Sequence, residues 1–197
     1  EFEIGVISRE KFLTLENSKD VEGNTIKYND DTVTLDPREK KLGGRLIANL
    51  EKLNLSLKKL GLNSEDPQKY YDLSYKLGIP QINTKKLQNK IFGLECNFEE
   101  LHAIDFKKGC YIGQENTSRM KNKDKLSKRI FSVKSEKNLK EDNEILFENK
   151  VVGKVLISEP KIFALIKISE PSLNILTTKD LMCNGFKVNL IKPDWLK

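Results

Sequence analysis

The segment FKKGCYIGQENTSRMK, residues 106–121, combines two glycines, a thiol, an aromatic ring and a carboxylate in one short stretch. Gly109 and Gly113 permit a positive φ angle or a close approach of another backbone. The residues from Gln114 to the end of the segment include neither Pro nor Gly and are compatible with a helix. The pattern therefore predicts a turn that leads into a helix, with Cys110 near the start of that helix.

This segment carries two candidate site residues. The N–H groups of a helix N-terminus, together with the neighbouring Lys107 and Lys108, would stabilise a thiolate, which makes Cys110 a candidate reactive thiol. A buried cysteine that packs as a small apolar residue is the alternative, and the local sequence leaves both interpretations open. The role of Glu115 is also left undecided by the local sequence, because a glutamate in the first turn of a helix is often simply solvated.

Composition places the chain among soluble globular proteins. It has 197 residues, of which 38% are hydrophobic and 32% charged, and this length suits one large domain or two small ones. No apolar run approaches the length of a membrane span, and the N-terminal EFEIGVISREKF lacks the basic-then-apolar order of a signal peptide. We therefore expect a cytoplasmic or organelle-matrix location and no membrane association.

Charge and metal-ligand content exclude several function classes. The net charge is +6, but the basic residues are scattered, and the densest basic run, residues 121–129, has no aromatic side chains for stacking on bases. Direct nucleic-acid binding is therefore disfavoured. The three cysteines, Cys96, Cys110 and Cys183, form no CxxC motif, and His102 is the single histidine. We accordingly predict no metal site and no catalytic triad.

Hydrophobic periodicity divides the chain into a mixed part and a strand-rich part. Residues 25–28 and 32–35 are predicted to form a hairpin, and leucines at helical spacing predict a helix over 50–60. Asp66-Pro67 predicts the start of a second helix that ends near Gly78, and residues 81–90 are predicted to be a polar loop. Five strand-like runs follow: 129–133, 144–147, 151–156, 163–168 and 187–191. We expect two domains, residues 1–124 and 125–197, the second a small antiparallel barrel or sandwich.

The motif KGCYIGQE, residues 108–115, resembles the signature of the YgfZ-type folate-binding proteins. These are relatives of the glycine-cleavage aminomethyltransferase that act in iron–sulfur cluster assembly or repair. Further matches occur in order from about residue 32 to the end: Asp36-Pro37-Arg38, Leu42-Gly43 with Arg45, Tyr71, Leu77-Gly78-Ile79-Pro80, Leu94-Glu95 with Asn97, Thr117 with Arg119-Met120, Lys128-Arg129 and Pro193-Asp194-Trp195. An ordered set of this kind is more specific than a single short motif.

The resemblance implies an α+β fold, in which part of an aminomethyltransferase-like folate-binding body is followed by a small C-terminal antiparallel β-barrel. It implies tetrahydrofolate as the bound cofactor, with Glu115 at the motif position that contacts the pterin. A carboxylate there can accept hydrogen bonds from the pterin N–H and amino group together. Tyr111, Lys108 and Arg119 are the other folate-binding residues that the resemblance implies.

Cys110 separates this family from true aminomethyltransferases, which typically lack a thiol at the matching position. A thiolate is a soft ligand for iron and a nucleophile toward disulfides. The resemblance thus implies a tetrahydrofolate-binding factor in iron–sulfur cluster assembly or repair. Cys110 would hold a transient cluster shared with an assembly protein, or exchange disulfides with a client enzyme.

Two alternatives are retained. The chain could belong to a tetrahydrofolate-dependent aminomethyl or one-carbon transferase, although Cys110 argues against transferase activity. It could also be a regulator of tRNA modification that binds RNA or a modification enzyme. The N-terminal segment that completes the folate cavity in this family has no match in the sequence, so we expect only part of the pocket. Arg38 and Arg45 would either contact the glutamate tail of folate or stabilise the fold.

Overall fold

The computed structural model describes residues 2–28, 31–59, 61–63, 65–110, 112–122 and 126–196. The chain forms two compact units, residues 1–70 and 71–197, which are described separately. The predicted domain boundary between residues 124 and 125 stays a prediction, and residues 123–125 lie outside the described part.

The first unit is an antiparallel sheet of four strands in the order β1-β4-β3-β2. Its elements are β1 (Phe2–Ile7), α1 (Arg9–Phe12), β2 (Thr25–Tyr28), β3 (Asp31–Leu35), a 3-10 turn (Lys40–Leu42), β4 (Gly44–Asn49) and α2 (Leu50–Lys59). Leu46 and Ala48 of β4 are buried whereas Ile47 between them is exposed, which is the alternation expected of a strand with one buried face. The predicted hairpin β2–β3 is confirmed, and its turn residues 29 and 30 lie outside the described residues.

Strand β4 lies inside this sheet and was not predicted from the sequence. It begins at a pair of glycines that ordinarily weaken a strand. Gly43 has φ +87°, and a Cβ there would lie 2.1 Å from the carbonyl oxygen of Ile7. A Cβ on Gly44 would lie 2.8 Å from the ring of Phe12. The two glycines therefore let β4 start in close contact with the end of β1 and with α1.

The second unit contains a closed six-stranded antiparallel barrel in the order β10-β5-β8-β7-β6-β9. Its elements are α3 (Gln68–Lys76, which begins just before the division), a 3-10 turn (Thr84–Leu87), α4 (Glu115–Asn122), β5 (Lys128–Ser135), β6 (Glu144–Phe147), β7 (Lys150–Ile157), β8 (Phe163–Lys167), α5 (Leu173–Thr178), β9 (Leu181–Cys183) and β10 (Phe186–Ile191). The predicted α+β fold with a small C-terminal barrel is confirmed. All five predicted strands are present, whereas β9 and α5 were missed.

The barrel interior is filled by aliphatic side chains from every strand, with Leu176 of α5 and Leu196 added to them. Cys183 is fully buried in this core. A second cluster lies on the outside of the barrel, where Leu87 packs with Ile130 and Phe163. The expectation of a polar loop over residues 81–90 was therefore wrong for Leu87, whose isolated apolar side chain gave no periodic signal.

Residues 91–104, here called the arm, form a series of turns held on strand β5. The N–H of Ile130 donates to the carbonyl of Glu95 at 2.8 Å. Asn97, which is buried, donates from Nδ2 to the carbonyl of Ile130 at 3.2 Å. Two leucines of the arm, Leu94 and Leu101, are also buried. The arm is thus anchored by backbone hydrogen bonds, a buried amide and apolar packing.

Two motif segments that are far apart in sequence meet in this unit. Gly78 ends α3 with φ +71°, and a Cβ on it would lie 3.2 Å from the ring of Pro193. Trp195 donates from Nε1 to the carbonyl of Leu77 at 2.9 Å. The C-terminal Pro-Asp-Trp sequence therefore closes over the end of α3.

Candidate functional site

The motif segment, residues 106–121, consists of a loop followed by most of helix α4, and its two ends lie close together. Phe106 opens the segment and Lys121 closes it, with Lys121 Nζ 5.3 Å from the centre of the Phe106 ring. Lys121 also forms an ion pair with Glu99 of the arm. Asp105 accepts a hydrogen bond on Oδ1 from the N–H of Lys107 at 2.8 Å and forms a turn just before the loop. These contacts fix both ends of the loop that presents Cys110.

Cys110 is exposed in this loop. The prediction that it lies at a helix start was wrong, because α4 begins at Glu115, five residues later. The thiol therefore does not belong to the first turn of α4. The alternative of a buried, apolar Cys110 is also excluded by its exposure.

The other two cysteines have a different chemistry. Burial raises the pKa of the half-buried Cys96 thiol to about 11, and the nearby carboxylate of Glu95 raises it further. Burial also raises the pKa of Cys183 in the barrel core. Both thiols are therefore protonated near neutral pH, and Cys110 is the exposed thiol of the three.

Glu115 is the first residue of α4 and is exposed. Gly113 has φ +89°, so the positive φ considered for this glycine is present. No other backbone approaches Gly109 closely, since a Cβ there would meet no atom within 4 Å. The carbonyl of Gln114 accepts the N–H of Ser118 at 2.9 Å and starts the helix. Arg119 is one turn beyond Glu115 on the same helix face and is exposed.

The motif residues follow one another along a single segment of the chain. Lys108 is exposed in the loop with Cys110, and Glu115 and Arg119 lie on the helix. Among the described residues, no hydrogen bond or ion pair links the Cys110 thiol to the Glu115 carboxylate. Tyr111 lies outside the described residues, so its role stays a prediction from the motif.

A cleft of about 530 Å³ lies beside the C-terminal half of α4. Its walls carry two ion pairs, Lys121 with Glu99 and Arg129 with Glu100. The other lining residues are mostly apolar: Leu94, Met120, Leu126, Ile168 and Ser169. Polar and apolar side chains therefore contribute about equally to the walls of this cleft.

Arg129 is the central polar residue of this cleft. Its Nη2 lies 2.5 Å from Glu100 Oε1, and its Nη1 donates to Asn97 Oδ1 at 2.8 Å. Burial alone would raise the pKa of Glu100, but the hydrogen bond and charge of Arg129 outweigh burial and lower it. The acidic pair Glu99-Glu100 was not singled out from the sequence, because its partners lie 22 and 29 residues away with no periodic relation.

Arg38 and Arg45 both engage one fully buried carboxylate in the first unit. Arg38 donates to both oxygens of Asp36, and Arg45 Nε lies 2.8 Å from Oδ2 as an ion pair without hydrogen-bond alignment. The hydroxyl of Tyr70 accepts from Arg45 at 2.9 Å. Of the two roles considered for Arg38 and Arg45, these contacts support stabilisation of the fold rather than contact with the glutamate tail of folate.

The described residues contain no group of three or more His, Cys, Asp and Glu side chains arranged to hold a metal ion. Within the same residues, no helix has the length and apolar character needed to cross a bilayer.

The fold is that of the aminomethyltransferase class. The glycine cleavage system aminomethyltransferase T of Bartonella henselae superposes with a TM-score of 0.63 over 95% of this chain and 56% of its own, at 10% identity. At that identity the likeness shows the fold alone. No family model matches the chain.

The sequence relatives are iron–sulfur cluster assembly factors. The chain is 38% identical over 103 residues to the mitochondrial factor IBA57 homolog of Dictyostelium discoideum, covering 52% of this chain and 25% of that protein. It is 34% identical over 117 residues to mouse mitochondrial IBA57, and this match covers 59% of this chain and 30% of the mouse protein. The resemblance to the YgfZ-type proteins is thereby confirmed. The chain spans about a quarter of the length of these curated relatives.

Proposed function

We propose that this chain is part of a tetrahydrofolate-binding factor in iron–sulfur cluster assembly or repair. The observation that carries the proposal is an exposed motif cysteine in a chain that is similar to iron–sulfur cluster assembly factors. The relatives are named as mitochondrial, and this supports the organelle matrix among the two expected locations. An iron–sulfur assembly protein or a client enzyme is the partner that such a factor requires.

Cys110 supplies the thiolate in this function. A thiolate binds iron as a soft ligand, and the free thiol releases its proton when it binds. In the redox variant of the proposal, the Cys110 thiolate attacks a client disulfide, forms a mixed disulfide and releases the other client sulfur as a thiolate. Both uses need an accessible thiol, and Cys110 is exposed whereas Cys96 is half-buried and Cys183 is buried. Replacement of Cys110 by serine in the full-length protein is expected to lower the activity of iron–sulfur enzymes in cells.

Glu115 recognises the pterin of tetrahydrofolate. The residues present fit this group in their chemistry, because an accessible carboxylate stands at the start of α4 and the exposed cations Lys108 and Arg119 lie in the same segment. The carboxylate accepts two parallel hydrogen bonds from the pterin N–H and amino group. Lys108 and Arg119 are cations in the same segment that pair with the carboxylates of the folate glutamate, and Tyr111 is proposed as a further folate contact.

Calorimetry on the full-length protein tests the folate part of the proposal. In Glu115→Gln one acceptor oxygen becomes an NH2 donor, and loss of a hydrogen bond to a charged group weakens tetrahydrofolate binding by about 1.5–3 kcal/mol. Glu136→Gln is the matched control, since it removes an exposed carboxylate outside the motif. Equal tetrahydrofolate affinity of wild type and Glu115→Gln would reject the role of Glu115.

A one-carbon transferase is the second candidate, because the fold is that of an aminomethyltransferase. Transfer of an aminomethyl group to folate has no use for a thiolate. The two functions therefore differ in their response to Cys110→Ser, which should leave a transferase active and inactivate an assembly factor.

A further inference from the structure

Lys121, in the last turn of α4, contacts two separate parts of the chain. Its ammonium group forms an ion pair with Glu99 of the arm, and its Nζ lies 5.3 Å from the centre of the Phe106 ring. An exposed lysine with a single acidic partner is ordinary and contributes little to stability. Lys121 differs because it joins the arm to the residue that opens the motif segment.

The contact between Lys121 and Phe106 folds the motif segment back on itself. Residues 107–114, here called the Cys110 loop, connect Phe106 to the first residue of α4. Eight residues reach roughly 26–29 Å when extended, whereas a helix of the same length as α4 is only about 12 Å long. The chain length of the Cys110 loop therefore allows many positions of the thiol, and the contact that closes the segment restricts them.

Glu99 is held in place because the arm is anchored on the barrel. The neighbouring Glu100 lies 2.5 Å from Nη2 of Arg129 on β5, and Leu101 is buried. The two adjacent carboxylates thus pair with cations on two different elements, Glu100 with β5 and Glu99 with α4. Through Lys121, the closed motif segment is tied to the anchored arm.

We propose that Lys121 is a positioning residue for the Cys110 thiol. This inference rests on the proposed function of Cys110, because a thiolate that binds iron or attacks a disulfide must be held in a narrow range of positions. By pairing with Glu99 and lying over the Phe106 ring, Lys121 keeps the Cys110 loop in its closed arrangement. A lysine in the last turn of a helix also interacts with the helix dipole, but that interaction needs neither partner.

Hydrogen exchange in the full-length protein measures the order of the Cys110 loop. Lys121→Met removes both contacts and is expected to accelerate exchange of the amides of residues 107–110 about three- to tenfold, because an exposed ion pair and a cation over a ring each change an equilibrium by a few-fold. Lys121→Arg keeps both contacts and should match wild type. Lys154→Met is the matched control, since Lys154 is an exposed lysine that pairs with Asp142 at 2.7 Å on the barrel.

A charge swap separates the ion pair from the helix-dipole effect. Lys121→Glu sets two carboxylates against each other and should accelerate the exchange more than Lys121→Met does. Adding Glu99→Lys restores an ion pair and should slow the exchange again, although a glutamate at the end of α4 is unfavourable for the helix dipole. Failure of the second substitution to slow the exchange, or equal exchange in Lys121→Met and Lys154→Met, would overturn the positioning role.

The activity of iron–sulfur enzymes in cells that lack the factor connects the order of the loop to function. Lys121→Met is expected to restore about half of the wild-type activity or less, since binding falls with the fraction of molecules in the competent arrangement. Lys121→Arg should restore the activity fully. Wild-type activity of Lys121→Met despite accelerated exchange would also overturn the positioning role.

Cys110→Ser separates this inference from the proposed function. If Cys110→Ser is inactive while Lys121→Met matches wild type in exchange and activity, the positioning role is rejected and the function of Cys110 stands. If Cys110→Ser is as active as wild type, the proposed function is rejected and the positioning role falls with it, even where exchange shows that Lys121 orders the loop.

Discussion

Replacement of Arg129 by methionine tests how the arm is held beside the motif. Arg129 is the hydrogen-bond donor to Asn97 Oδ1 at 2.8 Å, and Asn97 is 1% exposed. A buried acceptor left without its partner costs about 1–3 kcal/mol. The Glu100 side chain is 26% exposed, so loss of its ion pair adds a smaller amount, about 0.5–1 kcal/mol after solvent screening. We expect Arg129→Met to lower the free energy of unfolding by about 1.5–4 kcal/mol.

Urea unfolding at neutral pH measures this change. Lys134→Met, on the same strand and exposed, is the control and should stay within about 0.5 kcal/mol of wild type. Hydrogen exchange of the amides in residues 91–104 should accelerate in Arg129→Met and not in Lys134→Met. Unfolding of Arg129→Met at the same urea concentration as Lys134→Met would refute the anchoring role of Arg129.

The same pair predicts a pH dependence. The pKa of Glu100 is lowered in the folded state, so the folded protein holds the Glu100 proton less tightly than the unfolded chain does. The resulting stabilisation is present above the unfolded pKa, about 4.3, and is lost as the pH falls through the folded pKa. In Glu100→Gln, this part of the acid destabilisation should be absent from urea unfolding curves recorded at decreasing pH.

Two further predictions concern the thiols and the first unit. A thiol reagent such as Ellman's reagent should modify Cys110 rapidly, Cys96 more slowly because its pKa is raised to about 11, and Cys183 only on unfolding. Fast labelling that persists in Cys110→Ser would contradict the assignment. Asp36→Asn should destabilise the first unit by about 3–5 kcal/mol, because two guanidinium groups lose their buried carboxylate. Asp20→Asn is the control, since Asp20 pairs with Arg9 and Lys40 at the exposed surface and should change thermal stability little.

Local sequence patterns were sufficient for the elements that have a strong period. The leucines of α2 and the alternating runs of the barrel strands predicted their elements close to the observed bounds. Strand β4 was missed because its glycine pair imitates a turn, while the actual reason for the glycines is contact with Ile7 and Phe12. Strand β9 has three residues, too few to show any period.

The sequence indicated which residues are candidates for the site, but it did not indicate how they are arranged. The motif identified Cys110 and Glu115, yet the position of Cys110 ahead of α4 depends on where the helix starts, which local propensity places only to within a few residues. The pairing of Arg129 with Glu100 and of Lys121 with Glu99 depends on tertiary contact. The exposure of Phe92 and Phe98 could not be predicted, because an apolar run such as residues 91–98 normally indicates burial.

The central claim is that Cys110 acts in iron–sulfur cluster assembly, and complementation tests it most directly. The full-length protein, its Cys110→Ser variant and a Cys96→Ser control are expressed at equal levels in cells that lack the factor, and the activity of iron–sulfur enzymes is measured. Activity restored by wild type and Cys96→Ser but not by Cys110→Ser is the expected result. Equal restoration by Cys110→Ser would contradict the claim.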